Sequence, residues 1–402
     1  SFRLHLYVKK MDGQIGVAEG TLFQKLDLNH QLLELEQKAL LGKEETWKFP
    51  PLMSSSVAKD QEKKVKKVYP PLRDDFESSS LKIYQDLKQA VQAESKGEFN
   101  SAELFVIRER QILTLSSGFS EEELESKIYA EVCFSSRKGD TQLSEEFLVT
   151  RWGSHPEQLD FCQMCWESAQ YAEASLNTHL PQSGNYRVLL HASILNTLLH
   201  DVLSQLYMRN NYFKLPFKPK DSLFIESFSG HPFVLKLDPL KDYCFGSKSY
   251  SSEGLWQKPE VLVQNNRIEC NPCSSQISQY LEVQASSVEG TIVVEAENLV
   301  SKEKLLKQGE DVLEILQFSG LFTNQMDLTF SSEIRLARLH RASGGDSIYI
   351  KGGNLSGHFP SNFATVGWAG ENVVDNQIGY SGAGNSYYGP EWALIEKVSV
   401  SS

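Results

Sequence analysis

The segment LLHDVLSQL at residues 198–206 carries side chains that could bind and use a metal ion. A catalytic zinc takes three protein ligands and a water molecule, with a carboxylate nearby as general base. A helix of the H-E-x-x-x-H type would supply two histidines and that carboxylate. Here Asp201 follows His200, and Gln205 stands where the second histidine would be. Because an amide oxygen is a poor substitute for imidazole on zinc, these residues alone favour a partly buried structural histidine.

The six cysteines of the chain offer a second possible metal site. Cys162 and Cys165 form a C-x-x-C pair within a helical pattern, and Cys270 and Cys273 form another in the turn-like CNPC. Four thiolates at this spacing can chelate one zinc ion. The first pair lies in mid-helix, however, where a zinc knuckle would use a tight turn. Ordinary helix and turn cysteines are therefore the favoured interpretation.

Composition narrows the class of protein. The chain has 402 residues, of which 40% are hydrophobic and 23% charged, which is typical of a globular protein of two to three domains. Its formal net charge of −12 predicts no nucleic-acid partner, because an acidic surface repels phosphate backbones. No apolar run approaches the ~18 residues that span a bilayer, so we expect no membrane insertion. Few cysteines and no secretory segment predict a cytoplasmic protein.

The pattern along the chain predicts an α+β fold. Residues 1–185 are expected to form an N-terminal α+β domain, an antiparallel sheet with helices on one face. It begins with a hairpin around Asp12-Gly13 and contains a flexible Lys-rich loop at 54–71. The expected strands lie at 103–109, 111–117, 126–136 and 145–152, and the expected helices near 81–94 and 157–175.

The character of the sequence changes in its second half. A short buried strand, NYRVLL, leads into a helix at 191–208 that carries the possible metal-binding residues. Many short strands separated by Gly, Ser and Asn then follow. We therefore expect residues 186–402 to form a β-rich C-terminal domain, sandwich-like or barrel-like, that opens with this helix.

Five pieces of this sequence, in order, resemble the TldD/TldE family, the latter also called PmbA. The resemblance covers roughly residues 75–402 and, more faintly, the N-terminal hairpin. The pieces are YRVLLHASILNTLLHDVLSQ, GSKSYSSEGLWQKPEVLVQNNRIE, LQFSGLFTNQMDLTFSSEIRLARLHR, GGNLSGHFPSNFATVG and GPEWALIEKVSVS. The resemblance implies a heterodimeric zinc metalloprotease. TldD-type chains carry H-E-x-x-x-H and a late cysteine, which bind the zinc. TldE-type chains lack them and complete an enclosed chamber, in which peptides such as leader segments bind as extended strands.

Carried over position by position, the resemblance places His200 at the first metal histidine and Asp201 at the catalytic glutamate. Gln205 falls at the second histidine, and Ser381 near the late cysteine. Three of these four positions depart from the catalytic pattern. The resemblance thus implies a TldE-like subunit with no catalytic residue and no zinc of its own, paired with a TldD-like chain that holds the zinc. Two alternatives stay open: a stand-alone peptide-binding protein, and an atypical active metallopeptidase that uses His200, Asp201 and ligands from elsewhere.

Overall fold

The computed structural model describes residues 2–11, 15–23, 25–42, 44–45, 64–115, 118–139, 142–213, 217–224, 227–307, 309–343, 345–379 and 383–402. Its helices are α1 (Leu28–Leu41), α2 (Pro70–Asp74), α3 (Phe76–Ala93), α4 (Phe161–Ser175), α5 (Ala192–Leu206), α6 (Met208–Tyr212), α7 (Ser275–Leu281), α8 (Lys302–Leu306) and α9 (Phe359–Asn362). Its strands are β1 (Phe2–Lys9), β2 (Ile15–Leu22), β3 (Glu44–Glu45), β4 (Glu98–Thr114), β5 (Ser120–Ser135), β6 (Arg137–Lys138), β7 (Gln142–Leu143), β8 (Phe147–Gly153), β9 (Thr178–His179), β10 (Gly184–His191), β11 (Phe233–Asp238), β12 (Glu260–Gln264), β13 (Arg267–Ile268), β14 (Thr291–Ala296), β15 (Val312–Phe318), β16 (Phe322–Asn324), β17 (Thr329–His340), β18 (Ile348–Ile350), β19 (Asn354–His358), β20 (Gly367–Ile378) and β21 (Gly384–Ser401). The chain divides into two compact units, residues 1–51 with 274–285 and residues 52–273 with 286–402.

The smaller unit contains an antiparallel sheet in the order β1-β2-β3 and helix α1. The predicted hairpin is present, with β1 and β2 paired throughout, although its turn residues 12–14 lie outside the described part. Helix α1 buries Leu35 and Ala39. Two glycines of β2 allow this approach, because a Cβ on Gly16 would lie 2.0 Å from the Ala39 carbonyl oxygen, and one on Gly20 would lie 2.3 Å from Leu35 Cδ1.

The larger unit begins with a layer of three antiparallel strands, β4-β5-β8, against which helices α3 and α4 pack. Their shared apolar cluster contains Leu87, Ala90, Ala130, Val132, Phe134, Val149, Met164, Cys165 and Ala169. Ser168 of α4 ties this layer together through its buried hydroxyl. Its Oγ donates to the Phe147 carbonyl of β8 and accepts from the Phe134 backbone N–H of β5. This layer matches the expected antiparallel sheet with helices.

The prediction of two separate strands at 103–109 and 111–117 is wrong, because the two segments belong to one strand. Strand β4 runs without a break from Glu98 to Thr114. Arg110, which seemed to divide the two runs, pairs with Leu124 across the hairpin, and its guanidinium forms an ion pair of 2.7 Å with Glu122. A polar side chain on an exposed strand interrupts the apolar pattern without interrupting the backbone ladder.

The C-terminal half is built on a closed ring of strands. β10 pairs with β15, β15 with β17, β17 with β19, β19 with β21, and β21 returns to β10. Every strand of the ring contributes to one apolar cluster, with residues such as Val188, Leu313, Ile334, Leu355 and Val398. The chain therefore has the α+β class that its sequence predicted, including the barrel-like closure.

The two halves of the larger unit share one sheet, because β20 pairs with β8 at Asn376 and Trp152. The division into two domains at residue 185 stays a prediction. Of the Lys-rich segment, residues 54–63 lie outside the described part. Its remainder includes Lys67, which is buried 3.4 Å from Glu125, and helix α2. In the described ranges, none of the helices combines the length and apolar character needed to cross a membrane.

Candidate functional site

Helix α5 carries three of the four positions that the sequence singled out. It follows β10 directly and is capped by His191, whose Nδ1 accepts a hydrogen bond from the Ser193 backbone N–H at 3.3 Å. Its apolar side chains pack into the main cluster: Leu195, Leu198, Leu199, Val202, Leu203 and Leu206. This packing fixes the rotation of the helix, so the polar residues between the leucines point in set directions.

His200 is half-buried and hydrogen-bonded within its own helix. Its Nδ1 lies 2.8 Å from the carbonyl oxygen of Asn196. Because a carbonyl can only accept, Nδ1 carries the proton, and Nε2 holds the lone pair. Burial lowers the pKa of His200 to about 4, so the ring is neutral at physiological pH. The imidazole is thus held in the tautomer that a metal ligand would need, with one lone pair, on Nε2, to offer to a metal ion.

Asp201 and Gln205 contact one loop residue on a different side of the helix. Gln325, between β16 and β17, donates from Nε2 to Asp201 Oδ1 at 2.9 Å. The amide of Gln205 donates to the backbone carbonyl of the same Gln325. Both side chains are buried, at 7% and 2% exposure. These two hydrogen bonds hold the loop against the helix. Asp201 and Gln205 thus have a structural role, although the zinc motif would place catalytic and metal-binding residues at their positions.

The zinc ligand set is incomplete in the described part of the chain. The Gln205 amide nitrogen faces a carbonyl, where a zinc-binding histidine would present a lone pair. Ser381 lies outside the described residues. Within the ranges that are described, no three His, Cys, Asp or Glu residues come together as a possible metal site, and this includes both C-x-x-C pairs. These residues do not fit a catalytic zinc.

A partly buried carboxyl group that sequence reasoning missed lies on the next face of α5. Asp375 of β20 accepts at Oδ2 from Asn196 Nδ2 and from Gln377 Nε2, each at 2.8 Å. Burial raises the pKa of Asp375 to about 6, although both amide hydrogen bonds oppose this change. A carboxyl group that titrates near neutrality is suited to proton exchange. Asn196 lies 179 residues from Asp375 in sequence, so no spacing pattern could have revealed this contact.

The comparisons with known proteins identify the family. A family model described as the PmbA/TldA metallopeptidase C-terminal domain matches residues 183–402, which is more than half of the chain. The chain belongs to the PmbA/TldD family. The family expected from the sequence is therefore confirmed, and with it a metallopeptidase-like fold. No curated protein matches the chain in sequence.

Solved structures agree with this family fold. TldE from Thermococcus kodakarensis is 13% identical, with a TM-score of 0.73, over 96% of this chain and 87% of its own. A protein from Thermotoga maritima, described as a proposed modulator of a DNA gyrase, is 13% identical, with a TM-score of 0.74, over 97% and 86%. A Bacteroides thetaiotaomicron protein with a similar description is 13% identical, with a TM-score of 0.73, over 100% and 88%. At this identity the likeness extends to the fold alone.

Proposed function

We propose that this chain is a TldE-type, non-catalytic subunit that pairs with a TldD-like zinc peptidase and helps to enclose its peptide substrates. One observation carries the proposal: the Gln205 amide, at the position of a metal histidine, is directed at the Gln325 carbonyl. Asp201 is hydrogen-bonded to the same residue. A catalytic glutamate acts on a bound water, whereas one carboxylate oxygen of Asp201, Oδ1, is engaged by Gln325.

The retained histidine is consistent with this role. His200 keeps the hydrogen bond to Asn196 that would orient a metal ligand, while its partners have become structural residues. A subunit that has lost its chemistry can keep the helix, because the helix still supplies apolar side chains to the core of the ring. The proposed place of action is the cytoplasm, supported by the free state of all six cysteines.

The test compares the chain alone with the chain co-purified with a TldD-like protein from the same genome. For the chain alone, we expect no stoichiometric zinc and no peptide hydrolysis. For the two proteins together, we expect a mixed complex that contains zinc and hydrolyses peptides. Zinc is measured by elemental analysis, stoichiometry by native mass spectrometry, and hydrolysis with an unstructured peptide. In the complex, His200→Ala is expected to leave zinc content unchanged, because the metal belongs to the partner.

The matched control is His30→Ala, which removes an exposed histidine of α1. Stoichiometric zinc in the chain alone that disappears with His200→Ala but persists with His30→Ala would refute the proposal in favour of an atypical active metallopeptidase. Peptide binding by a chain that never associates with a TldD-like protein would instead favour a stand-alone peptide-binding protein.

A further inference from the structure

Two thiols lie at the start of helix α4, whereas the sequence predicted this pair in mid-helix. The helix begins at Phe161 because Asp160 has a left-handed backbone conformation, with a φ of 38°, and its side chain caps the Gln163 N–H. Cys162 is therefore the second residue of α4, and Cys165 follows three residues later. The first C-x-x-C pair thus lies in the opening turns of a helix.

The helix holds the two cysteines at the separation that a disulfide bond requires. Residues three apart on an α-helix have Cα atoms about 5 Å apart, as the rise and radius of the helix dictate. A disulfide bond joins cysteines whose Cα atoms are roughly 4.4–6.8 Å apart. Helical Cβ atoms also tilt toward the N-terminus, so the Cβ of Cys165 leans toward the turn that carries Cys162. The bond can therefore form without rearrangement of the backbone.

The two thiols differ in their access to solvent. Of the six cysteines, all of which lie in the described ranges, Cys162 is the exposed one. Cys165 is 1% exposed and belongs to the apolar cluster that contains Ala90, Met164 and Ala169. Burial, and then the neighbouring Cys162, raise the pKa of Cys165 to about 12. A reagent in solution therefore meets Cys162 first, and Cys165 is the thiol that reacts second.

We propose that Cys162 and Cys165 form a reversible disulfide bond by exchange with a low-molecular-weight disulfide such as oxidised glutathione. In the first step, Cys162 loses its proton to water and attacks one glutathione sulfur, and the other glutathione leaves as a thiolate. In the second step, Cys165 loses its proton to water and attacks Cys162 Sγ, and the remaining glutathione leaves as a thiolate. Both thiolates take up a proton, so the chain is oxidised by two electrons and the glutathione disulfide is reduced to two thiols.

The second step distinguishes this site from an ordinary pair of helix cysteines. Cys165 is held one turn from the mixed disulfide on Cys162, which gives its sulfur a high effective concentration compared with thiols in solution. The end of a helix also opens locally at little cost in free energy, so the sulfur of Cys165 can approach despite its burial. The mixed disulfide should therefore be a short-lived intermediate. This chemistry is independent of the proposed subunit function.

The test treats the reduced full chain with oxidised glutathione under native conditions, followed by an acid quench and alkylation of the remaining thiols. Trypsin cleaves after Arg151 and Arg187, so both cysteines fall on the peptide 152–187, which contains no other cysteine. By peptide mass spectrometry, we expect this peptide to lose both alkylatable thiols and to retain no glutathione. Dithiothreitol is expected to restore both thiols. In Cys165→Ala, we expect glutathione to stay attached to Cys162.

The matched control is Cys270→Ser, which removes a thiol of the other C-x-x-C pair and must leave oxidation of the peptide 152–187 unchanged. In Cys162→Ser, the buried Cys165 is expected to keep its thiol, and glutathione on Cys165 would overturn the assigned order of attack. A persistent glutathione adduct on Cys162 of the unaltered chain, or two thiols that stay alkylatable there, would overturn the proposal. These outcomes are read from the unaltered chain, so they do not depend on the folding of any variant.

Discussion

Replacement of Asp375, the partly buried carboxyl group beside helix α5, tests the electrostatics of the candidate site. In Asp375→Asn, the remaining side-chain oxygen can take the place of Oδ2 and accept from Asn196 and Gln377, at the 2.8 Å distances now observed. The variant therefore keeps both hydrogen bonds and removes only the negative charge of this partly buried group. We expect Asp375→Asn to be more stable than the unaltered chain at neutral pH.

The magnitude follows from the pKa. Burial raises the pKa of Asp375 from the ordinary 3.8 to about 6, which corresponds to a destabilisation of about 3 kcal/mol when the group is ionised. Partial exposure of the side chain reduces this, so we expect a gain in unfolding free energy of about 1–3 kcal/mol at pH 7. Between the two pKa values the native state holds a proton that the unfolded state releases. The unaltered chain therefore loses stability as pH rises from about 4 to about 6, and the advantage of the variant grows over that window.

Urea unfolding of both proteins, followed by tryptophan fluorescence at pH 4, 5, 6 and 7, measures this difference. The control is Asp346→Asn, an exposed position where the same charge is removed without burial. A stability difference for Asp375→Asn that is independent of pH, or one that favours the unaltered chain at pH 7, would refute the reasoning. An equal gain from Asp346→Asn would show that net charge, rather than burial, is responsible.

Two substitutions and one labelling experiment test other parts of the larger unit. Burial opposes ionisation of Glu314, but hydrogen bonds from His340 and a lysine lower its pKa to about 2. Glu314→Gln should therefore lower the unfolding free energy, measured by urea unfolding, by about 3–5 kcal/mol at pH 7. The loss should become smaller as pH falls from 4.5 toward 2, because Glu314 then becomes protonated in the unaltered chain as well. Ser168→Ala leaves a buried N–H of β5 without its acceptor and should lower the unfolding free energy by about 1–3 kcal/mol, whereas an effect below about 0.5 kcal/mol would contradict that role. With a maleimide at pH 8, Cys162, which is exposed, should be modified well before Cys165, whose pKa burial raises to about 12; equal rates by peptide mass spectrometry would contradict this order.

Local patterns allowed much of the fold to be predicted. The alternation around residues 12–14 predicted the β1–β2 hairpin, and leucine spacing predicted helix α5, because side-chain periods of two and 3.6 residues follow from backbone geometry. The same patterns misled where a polar residue such as Arg110 lies within an exposed strand. The position of Ser381 as the counterpart of a late cysteine stays a prediction.

The sequence by itself determined the elements, the acidic balance and the family, since each depends on neighbouring residues or on ordered motifs. Only the tertiary structure decided which polar groups meet. Asp375 reaches Asn196 across 179 residues, and Gln325 reaches Asp201 across 124. The closed ring of β10, β15, β17, β19 and β21 also depends on the order of its strands, and strand pairing across such separations leaves no local signal. That is why the sequence showed a histidine with missing partners, and the structure showed what those partners now do.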